Sequence, residues 1–113
     1  MHDVRVVLMT APDTETAERL GRALVEEHLA ACATVVPDVS STYWWGGRVE
    51  RAGEALVILK TTEGRVNDLR DRALGLHPYE VPELLVLQVV DGNDAYLDWV
   101  RRESRPPLGR TET

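Results

Sequence analysis

Two glycines in the middle of the chain, Gly46-Gly47, join the two longest strand-like runs in the sequence. A Gly-Gly pair between β-rich arms supplies the two positive-φ residues of a tight hairpin turn. The arm before it starts in the small apolar run Ala30-Ala31-Cys32-Ala33-Thr34-Val35-Val36, bends at Pro37-Asp38-Val39 and continues to Tyr43-Trp44-Trp45. Proline removes a ladder donor, so the bend marks a break within one long strand. The arm after the turn runs from Arg48 through Ala55-Leu56-Val57-Ile58-Leu59-Lys60-Thr61. A hairpin of this reach outruns the rest of the sheet. Trp44 and Trp45, adjacent in a strand, point to opposite faces, so at least one indole needs apolar cover from elsewhere. The plain alternative folds one indole back onto its own chain and leaves the other wet. Exposed aromatics at Tyr43, Trp44 and Trp45 on an unpaired ribbon predict self-association.

The flanking segments each supply a strand and a helix. Val4 to Thr10 is β-branched and almost wholly apolar, which predicts a strand covered on at least one face. Pro12-Asp13-Thr14-Glu15 is a helix N-terminal signature, and Ala17, Leu20, Gly21, Leu24, Val25, His28 and Leu29 recur behind it at helical spacing. His28, at the edge of that stripe, reads as a satisfied, partly buried side chain. Thr62 is placed to cap a second helix whose inward residues are Val66, Leu69, Ala73 and Leu76. Leu84 to Val90 reads as a strand too apolar for the surface, and Asn93 caps a short last helix docked by Tyr96, Leu97, Trp99 and Val100. This β-α-β-β-α-β order predicts an α+β, ferredoxin-like sandwich with its first two helices on one face of an antiparallel sheet and an added C-terminal helix. Strands apolar on both sides leave the second face to be buried against other copies. Residues 1–104 form one domain on this reading, and 105–113, which lack apolar periodicity, form a disordered tail.

Charge and cysteine usage narrow the functional classes. Thirteen basic and nineteen acidic residues give a net charge of −6 over 113 residues. The arginines are scattered and form no stripe, so neither nucleic acid nor an anionic membrane is expected as a partner. No run approaches the ~20 apolar residues of a membrane span and no signal-peptide pattern opens the chain, which predicts a soluble cytoplasmic protein. Cys32 is the only cysteine, so an intramolecular disulfide and a CxxC-type metal knuckle are both excluded.

The chemistry concentrates in His77-Pro78-Tyr79-Glu80-Val81-Pro82-Glu83. Each proline fixes its own φ and pushes the residue before it, His77 or Val81, out of the helical region, so the segment is a stiff connector. Side chains on such a loop need little ordering to meet a ligand. The plain alternative makes the prolines mere helix and strand boundaries, with His77, Glu80 and Glu83 solvated. The set superficially resembles an acid/base site. However, no serine or cysteine accompanies a histidine and no Gly-rich phosphate cradle is present, so no reaction class is read and no enzyme or organic cofactor is expected. Lys60, the one lysine beside twelve arginines, lies on the return arm of the hairpin. A cleft between subunits lined by Lys60, His77, Tyr79, Glu80 and Glu83 would suit a small polar or zwitterionic metabolite.

Several motifs together resemble the CutA family of divalent-cation tolerance proteins: Leu29-Ala30-Ala31-Cys32-Ala33, Tyr43-Trp44-Trp45-Gly46-Gly47, Leu59-Lys60-Thr61, the His77 to Glu83 loop, and Tyr96-Leu97-Asp98-Trp99, over roughly residues 4 to 101. The resemblance implies a homotrimer similar in build to PII signalling proteins, with hairpins reaching across subunit boundaries and Tyr43, Trp44 and Trp45 at the interface. It also implies a link to copper or another divalent metal ion. Of the copper ligands proposed for relatives, His77 carries over, while Met9 stands in place of a cysteine and Leu76 in place of a second histidine. A metal site would then draw on His77, Met9 and Cys32, a histidine with a thioether suiting soft Cu(I) better than zinc. Two further roles stay open beside metal binding: a small-molecule sensor working through the intersubunit cleft, and a scaffold whose exported surface is the trimer.

Overall fold

The computed structural model describes residues 2–106, and most of the expected tail, 107–113, lies outside the described residues. Strand β1 (Val4–Ala11) leads into helix α1 (Thr14–Glu26), whose first turn is capped by Asp13 accepting the Thr16 amide at 2.7 Å. Strands β2 (Cys32–Trp45) and β3 (Arg48–Thr62) form the hairpin. Gly46 and Gly47 turn it with φ of 59° and 80°, values a Cβ would strain. A 3₁₀ turn (Glu63–Arg65), helix α2 (Val66–Leu76), strand β4 (Leu84–Gln88) and helix α3 (Asp94–Glu103) complete the chain. All pairings are antiparallel and the sheet order is β2-β3-β1-β4, the interleaving that a doubled split βαβ unit produces.

Helices α1 and α2 cover one face of this sheet. Val7, Met9 and Ala11 of β1 and Ala55, Val57 and Leu59 of β3 meet Ala17, Leu20 and Leu24 of α1 and Leu69 and Ala73 of α2 in the main core. The fit is close at Gly21, where an added Cβ would lie 2.9 Å from the Ala33 Cβ, so small residues on both elements let α1 sit down on β2. Helix α3 lies on the other side and covers one end only. Val100 buries Val4 and Ala31 there, Tyr96 reaches Cys32, and Ser104 reaches Thr62. Arg101 grips Asp3 through Nε and holds its carboxyl below the usual carboxylate range.

The uncovered remainder of that face is apolar. The register aligns Val6 and Leu8 of β1 with Lys60 and Ile58 of β3 and with Leu87 and Leu85 of β4, all on one side because side chains alternate along a strand. The expected proline-marked bend is a β-bulge between Val36 and Val39, with Asp38 at a φ of 56°. One extra residue reverses the parity of the outer half of β2. Tyr43 and Trp45 therefore fall opposite Glu50 and Arg48 on the open side, and Trp44 pairs with Val49 on the helix side, beyond the helices' reach.

Three local expectations are corrected. The first helix stops at Glu26, short of His28 and Leu29. His28 takes a φ of 57°, its amide bonds the Val25 carbonyl and the Leu29 amide bonds that of Leu24, a Schellman closure made without glycine. Its ring pays for this by donating from Nδ1 to the Glu103 carbonyl at 2.8 Å, as expected of a satisfied side chain. Thr62 makes no side-chain cap, since its hydroxyl faces Ser104 and a 3₁₀ turn precedes α2. Finally, β4 ends at Gln88, and within one chain Leu85 and Leu87 are exposed where cover was expected.

Candidate functional site

The loop from His77 to Glu83 leaves α2 at the end of β1 where Thr10 lies. His77 caps the helix with extended backbone (φ −76°, ψ 138°), as a residue before proline must. Its ring is not solvated: it is buried, with both nitrogens engaged. The Tyr79 amide, which can only donate, bonds Nδ1 at 3.1 Å, and the Thr10 carbonyl, which can only accept, lies 2.7 Å from Nε2. The proton therefore sits on Nε2 and the imidazole is neutral. The next ring packs on this one, Tyr79 lying 4.9 Å from His77 between centroids. Its hydroxyl donates to Glu54 Oε2 at 2.8 Å, and burial first, then this bond and the carboxylate's charge, push the phenol up to about 12. Glu80 and Glu83 are exposed.

Lys60 is elsewhere. Thr10 pairs with Leu56, and Lys60 is four residues further along β3, about 13 Å away at ~3.3 Å per residue. There it is half-buried on the open side, flanked in register by Val6 and Cys32, and makes no ion pair among the described residues. One subunit thus joins His77 to Tyr79 but does not bring Lys60 to the loop. A hollow of about 460 Å³ near α3, lined by His2, Val4, Val89, Asp91, Leu97 and Arg101 among others, contains none of the expected site residues.

The expected metal donors are likewise dispersed. Met9 is wholly buried in the helix-covered core, on the opposite face from Cys32. Cys32 lies at the Lys60 end of the sheet with its sulfur 3.5 Å from the Tyr96 hydroxyl. That contact, followed by burial, pushes the Tyr96 phenol up to about 12. His77 is at the other end with no free lone pair. No group of three or more His, Cys, Asp or Glu able to hold a metal occurs among the described residues. The donors His77, Met9 and Cys32 therefore do not fit one metal ion within a subunit.

At the hairpin tip Trp44 and Trp45 remain 74% and 69% exposed, with Tyr43 and Val49 beside them. Sequence reasoning missed Glu54 as the partner of Tyr79. Its signal is a carboxylate at an even position of β3, where Leu56 and Ile58 follow in the same alternation. It also missed Tyr96 as the cover for Cys32.

Comparison with known proteins agrees with this geometry. Residues 5–103 match the family model described as CutA1 divalent ion tolerance protein. The divalent-cation tolerance protein CutA of Thermus thermophilus is 46% identical over 99 residues, spanning 88% of this chain and 96% of that protein. The crystal structure of CutA from Xylella fastidiosa superposes with a TM-score of 0.88 at 41% identity, covering 91% of this chain and 99% of that one. An Archaeoglobus fulgidus protein named periplasmic divalent cation tolerance protein CutA gives a TM-score of 0.87 at 31% identity, over 90% of this chain and 99% of that one. With the family model matched over residues 5–103 and a relative 46% identical over nearly its whole length, the chain belongs to the CutA1 divalent ion tolerance family.

Proposed function

We propose that this chain serves divalent-cation tolerance as a PII-like homotrimer in which the open sheet face and hairpin tip of each copy are buried against the others, and that the resulting cleft binds a small ligand. The observation that carries this is the uncovered face, where Val6, Leu8, Leu56, Ile58, Leu85 and Leu87 align across three strands with no helix over them. Exposed apolar surface of this kind marks an interaction site. Trp44 and Trp45 at the tip support the same conclusion. The number three comes from the family resemblance.

In such an assembly Lys60 of one copy meets the loop of another, and its ammonium finds Tyr79, Glu80 and Glu83. One cation facing carboxylates and a neutral phenol suits a small polar or zwitterionic molecule. A divalent ion is the second ligand class, supported by the names of the relatives, with copper as the ion that the motif resemblance implies. In this proposal it meets groups at the assembled surface, since His77, Met9 and Cys32 are apart in each copy. The relatives are named for tolerance and not for a reaction, and the proposed role is binding without catalysis. A cytoplasmic location belongs to the same proposal. Its support is the single unpaired cysteine, and no helix among the described residues is long and apolar enough to cross a membrane.

Native mass spectrometry of protein purified without chelators tests this. The expected result is a trimer mass carrying a bound ligand, with Lys60→Ala leaving the trimer and removing the ligand. Stable interfaces of this class bury ~2,000 Å² or more, so the trimer should survive dilution to nanomolar concentration. A folded monomer at micromolar concentration would overturn the assembly, and ligand-free trimers from several lysates would overturn the cleft.

A further inference from the structure

We propose that His77 is a positioning residue and not a metal ligand: its imidazole latches the proline-flanked loop to the end of β1 and so sets Tyr79 against Glu54. This inference rests on contacts within one chain and stands or falls independently of copy number.

The lone pairs of the ring decide the matter. A neutral imidazole has one nitrogen lone pair to give, and metal binding requires it. In His77 that lone pair, on Nδ1, is taken by the Tyr79 amide at 3.1 Å, while Nε2 keeps its proton for the Thr10 carbonyl at 2.7 Å. A metal at Nδ1 would orphan the Tyr79 amide. A metal at Nε2 would demand the other tautomer, setting an Nδ1 proton against the Tyr79 amide, donor against donor, and would strip the Thr10 carbonyl of its bond. His77 is only 8% exposed, so water cannot easily replace what is lost. Nor are there companions for a bound ion, because Met9 is enclosed in the helix-covered core and no acid or thiol cluster lies at hand among the described residues.

The same contacts describe what the ring does. Pro78 has no amide proton, so the Tyr79 amide is the first donor after the helix ends, and His77 satisfies it from two residues back. The Nε2 bond then ties this turn to Thr10, 67 residues away in the chain. With the turn fixed, the Tyr79 ring rests on His77 and its hydroxyl reaches Glu54. Removing the imidazole frees the amide and the carbonyl together and lets Tyr79 leave Glu54.

Two measurements on the full chain test this. Long-range proton–nitrogen NMR of the three histidines, recorded before and after one equivalent of Zn(II) or Cu(I), reads the tautomer directly. The expected result is an Nε2-protonated His77 that the ions leave unchanged. Movement of either His77 nitrogen to a metal-bound position, saturating at a fixed stoichiometry, overturns the proposal. Amide exchange of Tyr79 reads the latch. His77→Ala should speed it at least tenfold, and His77→Asn, whose side-chain oxygen can accept the same amide, should restore most of the protection. Exchange in His77→Ala equal to that of the parent protein overturns the latch. The tautomer spectrum of the unaltered protein decides the ligand question even if a variant fails to fold.

Discussion

Leu59 and Ile58 are neighbours on β3, and they face opposite surroundings. Leu59 points into a core sealed by α1 and α2 and is wholly buried, as are Val57 and Ala55 in alternation with it. Ile58 points the other way, to a surface shared with Leu8, Leu85 and Leu56 that only the end of α3 approaches. Both sets are equally apolar. The difference teaches that apolar pattern along a strand does not by itself say which face the chain will cover: here the folded chain seals one face and leaves most of the other open.

The largest effect should come from the sealed side. Leu59→Ala should cost ~2–5 kcal/mol, the range for a large-to-small change in a core that cannot collapse around the cavity. Guanidinium unfolding at fixed protein concentration measures it, and a loss no larger than that of Ile58→Ala would break the distinction between the faces. Ile58→Ala should cost the subunit itself only about 1 kcal/mol, because part of its apolar area is already wet. Its main effect should be on self-association, seen in sedimentation as dissociation on dilution where the parent stays assembled.

The smallest effect concerns the one end of the open side that α3 does cover. The Arg101 hydrogen bond lowers the Asp3 carboxyl from its ordinary value, so the folded state binds that proton later than the unfolded chain as pH falls. The contact therefore contributes stability above pH ~4, lost progressively below it. Asp3→Asn should remove that part of the acid dependence while changing stability near pH 7 by under ~1 kcal/mol, as expected of a pair this exposed. An unchanged acid limb would mean that the Arg101–Asp3 pair contributes nothing measurable to holding α3.

Features encoded by adjacent residues were legible. The Gly46-Gly47 turn, the strand bend at Pro37-Asp38, and the caps at Asp13 and Asn93 each follow from the φ a residue can adopt or the amide a short side chain can reach. The order of strands and helices, and with it the sheet, follows from hydrophobic period. His28 shows the limit: its spacing continues the helical stripe, yet its ring bonds the Glu103 carbonyl from 75 residues away and it takes the left-handed conformation that ends the helix.

The site divides in the same way. Sequence by itself determined that His77, Tyr79, Glu80 and Glu83 sit on a rigid loop, because proline stiffness is local. It also determined that Lys60 lies in a strand apolar on both sides. Only the tertiary structure decided that His77 spends both nitrogens on Thr10 and Tyr79, that Glu54 is the partner of the Tyr79 hydroxyl, and that Met9 faces away from Cys32. The physical reason is that a hydrogen bond depends on angle and distance between groups far apart in the chain. Those are set by strand register and helix seating, and residue type alone carries neither.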